Sequence, residues 1–288
     1  MEKLVSSIFK AYDIRGIVAT QLTPQTTELI GQVLGSMAIE NQVKGLVVGY
    51  DGRLTSPMLA KSLINGILST GCNVFEIGEV TTPMVYFANY ELKTYSGVMI
   101  TGSHNPPEYN GLKMVMAGDT LSGDKIQQIY QRIQDKQVIK GNGVHYCENI
   151  LEAYFTKITS DVKLARRMSI VVCEVDGNFP NHHPDPSKPE NLNDLIHALN
   201  STETEIGLAF DGDGDRLGVV TKDGNIIYPD RQMMLYAADI LSKNPQGKII
   251  YDVKSSRLLA DWIKENQGIP IMCRTGHSFV KAKIKETG

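Results

Sequence analysis

Apolar residues in this chain fall into two alternating patterns, short unbroken runs and stripes at helical spacing. Thr23-Pro24, a capping residue ahead of a proline, precedes Leu29, Ile30, Val33, Leu34 and Met37, and this predicts a helix. The run at 45–49 predicts a buried strand that ends at Tyr50-Asp51-Gly52-Arg53. Ser56-Pro57 repeats the helix-start signal, Leu59, Leu63, Ile64, Ile67 and Leu68 form the next stripe, and Gly71 stops it. Strands at 73–77 and 96–101 flank a helix starting near Pro83, and a strand at 112–116 precedes a helix at 123–134. Residues 135–143 are mostly polar and read as a linker. Beyond them the pattern predicts a helix at 148–158, a strand at 169–175, a proline-rich loop to Pro189, a helix at 190–199 and a strand at 206–210. A hairpin then turns at Lys222-Asp223-Gly224, between strands at 217–221 and 225–228, and leads to a helix at 232–241. The last segment carries strands at 248–253 and 270–273 and helices at 256–265 and 278–286. Two strands and two helices bury little core by themselves, so this unit reads as incomplete.

Strand–helix alternation predicts layered α/β domains, with functional turns beyond the strand ends. The boundaries expected are 1–143, 144–245 and 246–288. Composition agrees: 288 residues suit more than one domain, and 42% apolar with 21% charged residues is ordinary for globular proteins. The net charge of −3 gives no reason to expect a nucleic-acid partner. Cys72, Cys147, Cys173 and Cys273 lie far apart, which excludes a CxxC zinc knuckle and suits reduced thiols. Lys10, Asp13 and Arg15 interrupt any signal-like apolar run, and no stretch is long enough to span a bilayer, so a cytoplasmic protein away from membranes is expected.

Two loops carry the chemistry. Residues 99–114 read Met-Ile-Thr-Gly-Ser-His-Asn-Pro-Pro-Glu-Tyr-Asn-Gly-Leu-Lys-Met. They offer Ser103 as a nucleophile in a polar turn stiffened by two prolines, beside His104 and with Lys113 able to reach back to a phosphate. Asp211, Asp213 and Asp215 alternate after an apolar strand, so their side chains share a direction in extended chain. Three converging carboxylates repel one another, and an all-oxygen set suits Mg²⁺ or Ca²⁺. A solvated acidic turn is the competing explanation. An EF-hand is excluded, because Arg216 stands where its glycine belongs and Lys222 where its glutamate belongs. Arg216 can pair with a phosphate oxygen beside the ion. A loop serine with a carboxylate cradle suits phosphoryl transfer, which needs positioning and charge neutralisation.

Weaker signals surround these loops. Arg15 precedes Gly16 near the start of the fold. Lys254 and Arg257 sit at one strand-to-helix junction, and Arg274 and His277 at another, where helix N-termini favour anions. His182-His183 reads as surface loop, since adjacent histidines rarely face one ion. Asp51 and Arg53 read as a structural ion pair pinning the turn beside the serine loop.

Together these residues resemble the α-D-phosphohexomutases, in particular the bacterial phosphomannomutase/phosphoglucomutase group. The resemblance runs from residue 9 to the last residue, through 101–114, 173–186, 208–216, 228–231 and 252–257. It implies consecutive mixed-sheet α/β domains: a phosphoserine domain (1–143), a metal-binding domain (144–245) and part of a sugar-binding domain (246–288). It implies interconversion of hexose 1- and 6-phosphates through a phosphorylated Ser103 and a hexose 1,6-bisphosphate. Mg²⁺ would be held by Ser103, Asp211, Asp213 and Asp215. His104, Arg15, Lys113 and Lys254 take catalytic roles in this reading, and Arg216, Arg257 and His277 bind substrate. Hexose phosphates are the implied partners of a monomer.

Two departures stand out. The family has four domains, and here the sugar-reading loop of the third and the whole of the fourth are expected to be missing. The second domain looks shortened by about 25 residues, roughly one β–α unit, because 169–172 joins Cys173 directly. That loss is expected to expose apolar sheet surface and to impair turnover. The alternative is a non-catalytic fragment that binds phosphosugar and Mg²⁺. Mannose and glucose are not distinguished.

Overall fold

The residues from Leu46 to Val48 are all fully buried, the mark of a strand covered on both faces. The computed structural model describes residues 4–162 and 174–288 and divides into two units, each with its own core. The predicted strand at 169–175 falls mainly outside the described residues, as does Cys173.

The first unit comprises the residues up to Asp185 together with Asp211–Arg216. Its strands are β1 (Ile14–Ile17), β2 (Leu46–Tyr50), β3 (Val74–Glu79), β4 (Gly97–Ile100), β5 (Tyr109–Met116), β6 (Asp119–Thr120) and β7 (His145–Cys147). They form one mixed sheet in the order β1-β5-β4-β2-β3-β7, with β6 on β5. On one face Leu46, Val48, Val98, Ile100, Leu112 and Met114 pack under α1 (Pro24–Glu40), α2 (Ser56–Leu68) and α4 (Asp124–Gln134). On the other, Val47, Phe75, Ile77 and Met99 meet α3 (Thr82–Glu91). Strand alternation sends neighbouring residues to opposite faces and so builds both cores. Thr23 caps α1 by accepting the Thr26 amide at 3.1 Å, ahead of the predicted proline.

Three differences from the sequence pattern have physical causes. Strand β1 escapes it, because Arg15 and Gly16 interrupt the apolar residues; the strand forms by antiparallel pairing with β5. Residues 135–143 are polar, yet they run along the unit. Gly141 and Gly143 donate to the carbonyls of Ser69 and Leu68, Ile139 donates to Ser36 Oγ, and β7 follows by pairing with β3. The helix expected at 148–158 is α5 (Leu151–Asp161), whose first amide is taken by Asn149 Oδ1 at 3.0 Å.

The second unit comprises Pro186–Phe210 and Leu217–Gly288. Strands β8 (Ile206–Phe210), β9 (Leu217–Thr221) and β10 (Ile226–Ile227) form an antiparallel sheet, with the predicted hairpin at Lys222–Gly224. Helix α6 (Asn193–Ser201), preceded by a 3₁₀ turn at Pro189–Leu192, covers one side through Leu192, Leu195, Ile196 and Leu199. Ile206, Leu208 and Phe210 alternate onto the other side and are 48%, 39% and 59% exposed. Strands β11 (Lys248–Asp252) and β12 (Ile269–Cys273) pair in parallel, accompanied by α7 (Pro229–Lys243), α8 (Arg257–Glu265) and α9 (His277–Thr287). Ala237, Leu241, Ile249, Leu259 and Ile263 form their core. Among the described residues no helix is long and apolar enough to cross a membrane.

Candidate active site

Strands β4 and β5 are antiparallel neighbours, and the loop between them carries Ser103. Ser103 adopts φ +49°, a left-handed conformation uncommon for a residue with a side chain, and one that persists only when its surroundings enforce it. Arg53 supplies much of that enforcement. Its Nη2 donates to the carbonyls of Ser103 (2.8 Å) and Asn105 (2.6 Å), and its Nη1 to those of Pro106 (2.7 Å) and Tyr109 (3.1 Å). Asp51 sits beneath the guanidinium, 3.3 Å from Nε, and accepts from Ser56 Oγ and the Gly102 amide. A Cβ at position 102 would lie 2.3 Å from Arg53 Cζ, so the guanidinium's approach requires glycine there. The Asp51–Arg53 pair is therefore structural, as its sequence suggests, and it grips the loop itself.

The Ser103 hydroxyl donates to Asp211 Oδ2 at 2.8 Å, and His104 Nδ1 lies 3.2 Å from Ser103 Oγ. The acidic loop folds back on itself: Asp211 Oδ1 accepts from the amides of Asp215 (3.1 Å) and Arg216 (3.0 Å), helped by Gly214 at φ +68°. Asp211, Asp213 and Asp215 each present a carboxylate oxygen within 4.8 Å of the others. Asp213 Oδ2 accepts from Thr82 Oγ1 and Lys113 Nζ, both at 2.5 Å, and Lys113 reaches Asp215 Oδ2 at 2.5 Å. Asp213 Oδ1 is buried and lacks a protein partner. An orphaned carboxylate oxygen beside two more carboxylates and a serine oxygen fits a hard divalent cation.

Electrostatics follow from this crowding. Burial, then repulsion from Asp213 and Asp215, lifts the Asp211 carboxyl to about 6. Burial opposes charge on Asp213 as well, but Lys113 outweighs it and holds this carboxyl below its usual value. Lys113 in turn is raised, because the two aspartates outweigh its burial. His104 is pushed down to about 4 by burial and by the Arg216 cation, so its ring is neutral near pH 7. Arg15, on β1, pairs with Asp13 at 2.5 Å, and Arg216 Nε approaches Asp211 Oδ2 at 3.8 Å.

Three models of the description "Phosphoglucomutase/phosphomannomutase, alpha/beta/alpha domain" match in order: domain I over residues 6–139, domain II over 137–224 and domain III over 228–288. The chain belongs to the phosphoglucomutase/phosphomannomutase family. It is accordingly an intramolecular phosphotransferase. A phosphoglucomutase of Neisseria gonorrhoeae is 49% identical over 316 residues, covering 100% of this chain and 69% of that protein. A phosphomannomutase/phosphoglucomutase of Pseudomonas aeruginosa strain PAO1 is 47% identical over 311 residues, covering 99% and 67%. The crystal structure of a family protein from Burkholderia thailandensis, 44% identical, superposes with a TM-score of 0.95 over 99% of this chain and 70% of that one. The Neisseria alignment runs over 316 positions against a chain of 288, so 28 positions of that stretch have no counterpart here.

The structure thus brings Ser103, His104, Lys113, Asp211, Asp213, Asp215 and Arg216 together within the first unit of this phosphohexomutase. Lys113 lies on the aspartates rather than standing free for a phosphate. Lys254, Arg257 and His277 belong to the second unit. Parallel pairing of Asp252 with Cys273 gathers the loops after β11 and β12 at one edge. There Asp252 Oδ1 accepts from the Lys254 amide and from Thr275 Oγ1, Arg257 opens α8 and His277 opens α9. The sequence pattern missed Thr82 and His183. Thr82 stands just before Pro83, near which a helix start is expected, and nothing in the sequence pattern singles it out. His183 was read as surface loop, yet it is half-buried and its Nε2 contacts the His104 carbonyl; a histidine in a proline-rich loop gives no sign of such a partner.

Proposed function

We propose that this chain interconverts hexose 1-phosphates and hexose 6-phosphates of mannose or glucose, with Ser103 as the phosphoryl carrier and a hexose 1,6-bisphosphate as intermediate. The observation that carries this reading is the 2.8 Å hydrogen bond from Ser103 Oγ to the buried Asp211, within a trio of carboxylates. A free sugar hydroxyl attacks the phosphorus of phosphorylated Ser103, the bond to Oγ breaks, and the hydroxyl proton leaves as Oγ regains one. In the return step Oγ attacks the other phosphate of the bisphosphate and the sugar oxygen departs. Two neighbours can hold the Ser103 proton, Asp211 Oδ2 and the neutral His104 Nδ1. Asp211, Asp213, Asp215 and a Ser103 oxygen would hold Mg²⁺, which supplies charge neutralisation at the phosphoryl oxygens. Arg15, Lys113 and Arg216 contribute fixed positive charge in the same unit. Lys254 remains a catalytic candidate, and Arg257 and His277 substrate-binding candidates, on the chemistry of their shared edge.

Incubation with glucose 1,6-bisphosphate and Mg²⁺ should add one phosphoryl mass to the protein, mapped to Ser103. Retention of the label in Ser103→Ala would refute the assignment. The 28 alignment positions without a counterpart favour a second reading, phosphosugar and Mg²⁺ binding without turnover. Isomerisation of mannose 1-phosphate and glucose 1-phosphate, with the bisphosphate present as activator, separates the two.

A further inference from the structure

Strand β7 extends the first unit's sheet by parallel pairing with β3, which sets Cys147 opposite Glu76 and His145 opposite Val74. Residues two apart on a strand share a face, and directly paired residues of neighbouring strands share one too. Glu76, His145 and Cys147 therefore project from one side of the sheet edge. On the other side Phe75 and Tyr146 stack, with ring centroids 5.1 Å apart and planes inclined by 14°, and this fixes the register. His145 Nε2 lies 2.8 Å from Glu76 Oε2, and one donor atom from each of the three residues lies within 4.8 Å of the other two. The Glu76 and His145 side chains are 25% and 37% exposed and Cys147 is exposed, so the cluster opens to solvent. None of the three takes part in the aspartate site.

We propose that Glu76, His145 and Cys147 form a second cation site, with water as the fourth ligand, for a borderline divalent cation of the Zn²⁺ type. A tetrahedral ion with Zn–N and Zn–O near 2.0–2.1 Å and Zn–S near 2.3 Å needs its donors about 3.3–3.6 Å apart. The present cluster reaches that spacing by side-chain rotation, since the strand register already sets the backbone. The donor set carries the selectivity. A thiol and an imidazole suit Zn²⁺ and discriminate against Mg²⁺, whereas the all-oxygen trio does the reverse. Binding converts the Cys147 thiol to thiolate with release of one proton to solvent, and the imidazole binds in its neutral form. The ion would clip the three-residue edge strand to β3, at the point where the chain leaves the first unit's sheet.

The test titrates Co²⁺ into the full chain in saturating Mg²⁺. The expected result is one equivalent bound, a thiolate-to-cobalt charge-transfer band in the near ultraviolet, tetrahedral visible bands, and loss of both on adding Zn²⁺. Cys147→Ser should abolish the charge-transfer band, and His145→Gln and Glu76→Gln should each weaken Co²⁺ binding by about tenfold or more. All three side chains are at least partly exposed, so the variants should keep the wild-type circular dichroism. Absence of a charge-transfer band, its persistence in Cys147→Ser, or unchanged affinity in both His145→Gln and Glu76→Gln would overturn the proposal.

Discussion

Replacing Arg53 with methionine tests whether the serine loop is held from below. The guanidinium makes four hydrogen bonds to carbonyls, at 2.6–3.1 Å, and neutralises Asp51, which is 2% exposed. Hydrogen bonds to a charged group contribute about 1.5–3 kcal/mol each. Four added independently would rival the entire stability of a typical domain, about 5–15 kcal/mol. They cannot be additive, because a released loop turns its carbonyls to water. The cost that relaxation does not relieve is the buried Asp51 carboxylate left without its partner, about 3–5 kcal/mol. Arg53→Met should therefore lose about 3–5 kcal/mol in urea denaturation. Amide exchange across residues 101–109 should accelerate by more than in the rest of the sheet. Arg53→Lys should recover part of the stability but little of the loop protection, since an ammonium cannot span four carbonyls. A loss below about 1 kcal/mol in Arg53→Met, with protection unchanged, would show that the prolines and the strand ends hold the loop without it.

Asp213→Asn should lower Mg²⁺ affinity, read by calorimetry, because it removes charge from the most buried carboxylate of the trio; unchanged binding would argue against the acidic loop as the metal site. Lys113→Met should destabilise the metal-free protein by about 3–5 kcal/mol, since two carboxylates lose their shared cation, and Mg²⁺ should raise its melting temperature more than that of the unsubstituted chain. His104 titrates at about 4 in the folded state against 6.5 when unperturbed, so the unfolded chain takes up its proton first as pH falls. Its contribution to stability is lost between about pH 6.5 and 4; His104→Gln should flatten that part of the pH–stability curve, and the imidazole nitrogen shifts should report a neutral ring down to about pH 4.

Legibility from sequence followed the range of the interactions. Helix α1 was readable because Thr23, Pro24 and the apolar stripe act within a few residues of one another. The serine and acidic loops were readable because their chemistry is written in consecutive residues. Strand β1 was hidden because its stability comes from β5, about a hundred residues away, and not from its own pattern. The same holds for β7, three exposed residues that exist as a strand only through β3. Thr82 and His183 were invisible as site residues for this reason: Thr82 meets a carboxylate 131 positions away, and His183 meets a carbonyl 79 positions away. Arg53 is the informative intermediate case. Its pairing with Asp51 is local and was legible, while its grip on four carbonyls 50 to 56 residues on was not.

The acidic loop explains why one lysine does not complete the site. Lys113 bridges Asp213 and Asp215, which leaves Asp211 facing two carboxylates with only the Ser103 hydroxyl, two amides and a distant Arg216 in return. The consequence is the carboxyl near 6: the folded chain holds that proton at a pH where the unfolded chain has released it. By linkage, this group's contribution to stability is present at low pH and is lost as pH rises through about 6, opposite in sign to that of His104. A folded protein that keeps three carboxylates under such strain at neutral pH is poised to exchange a proton for a cation. The orphaned Asp213 Oδ1 marks the same deficit from the other side of the trio. Cation affinity at this loop should therefore fall as pH drops below about 6, and the Ser103 hydroxyl donates to the one carboxylate that Lys113 does not reach, the group that would have to give up that proton.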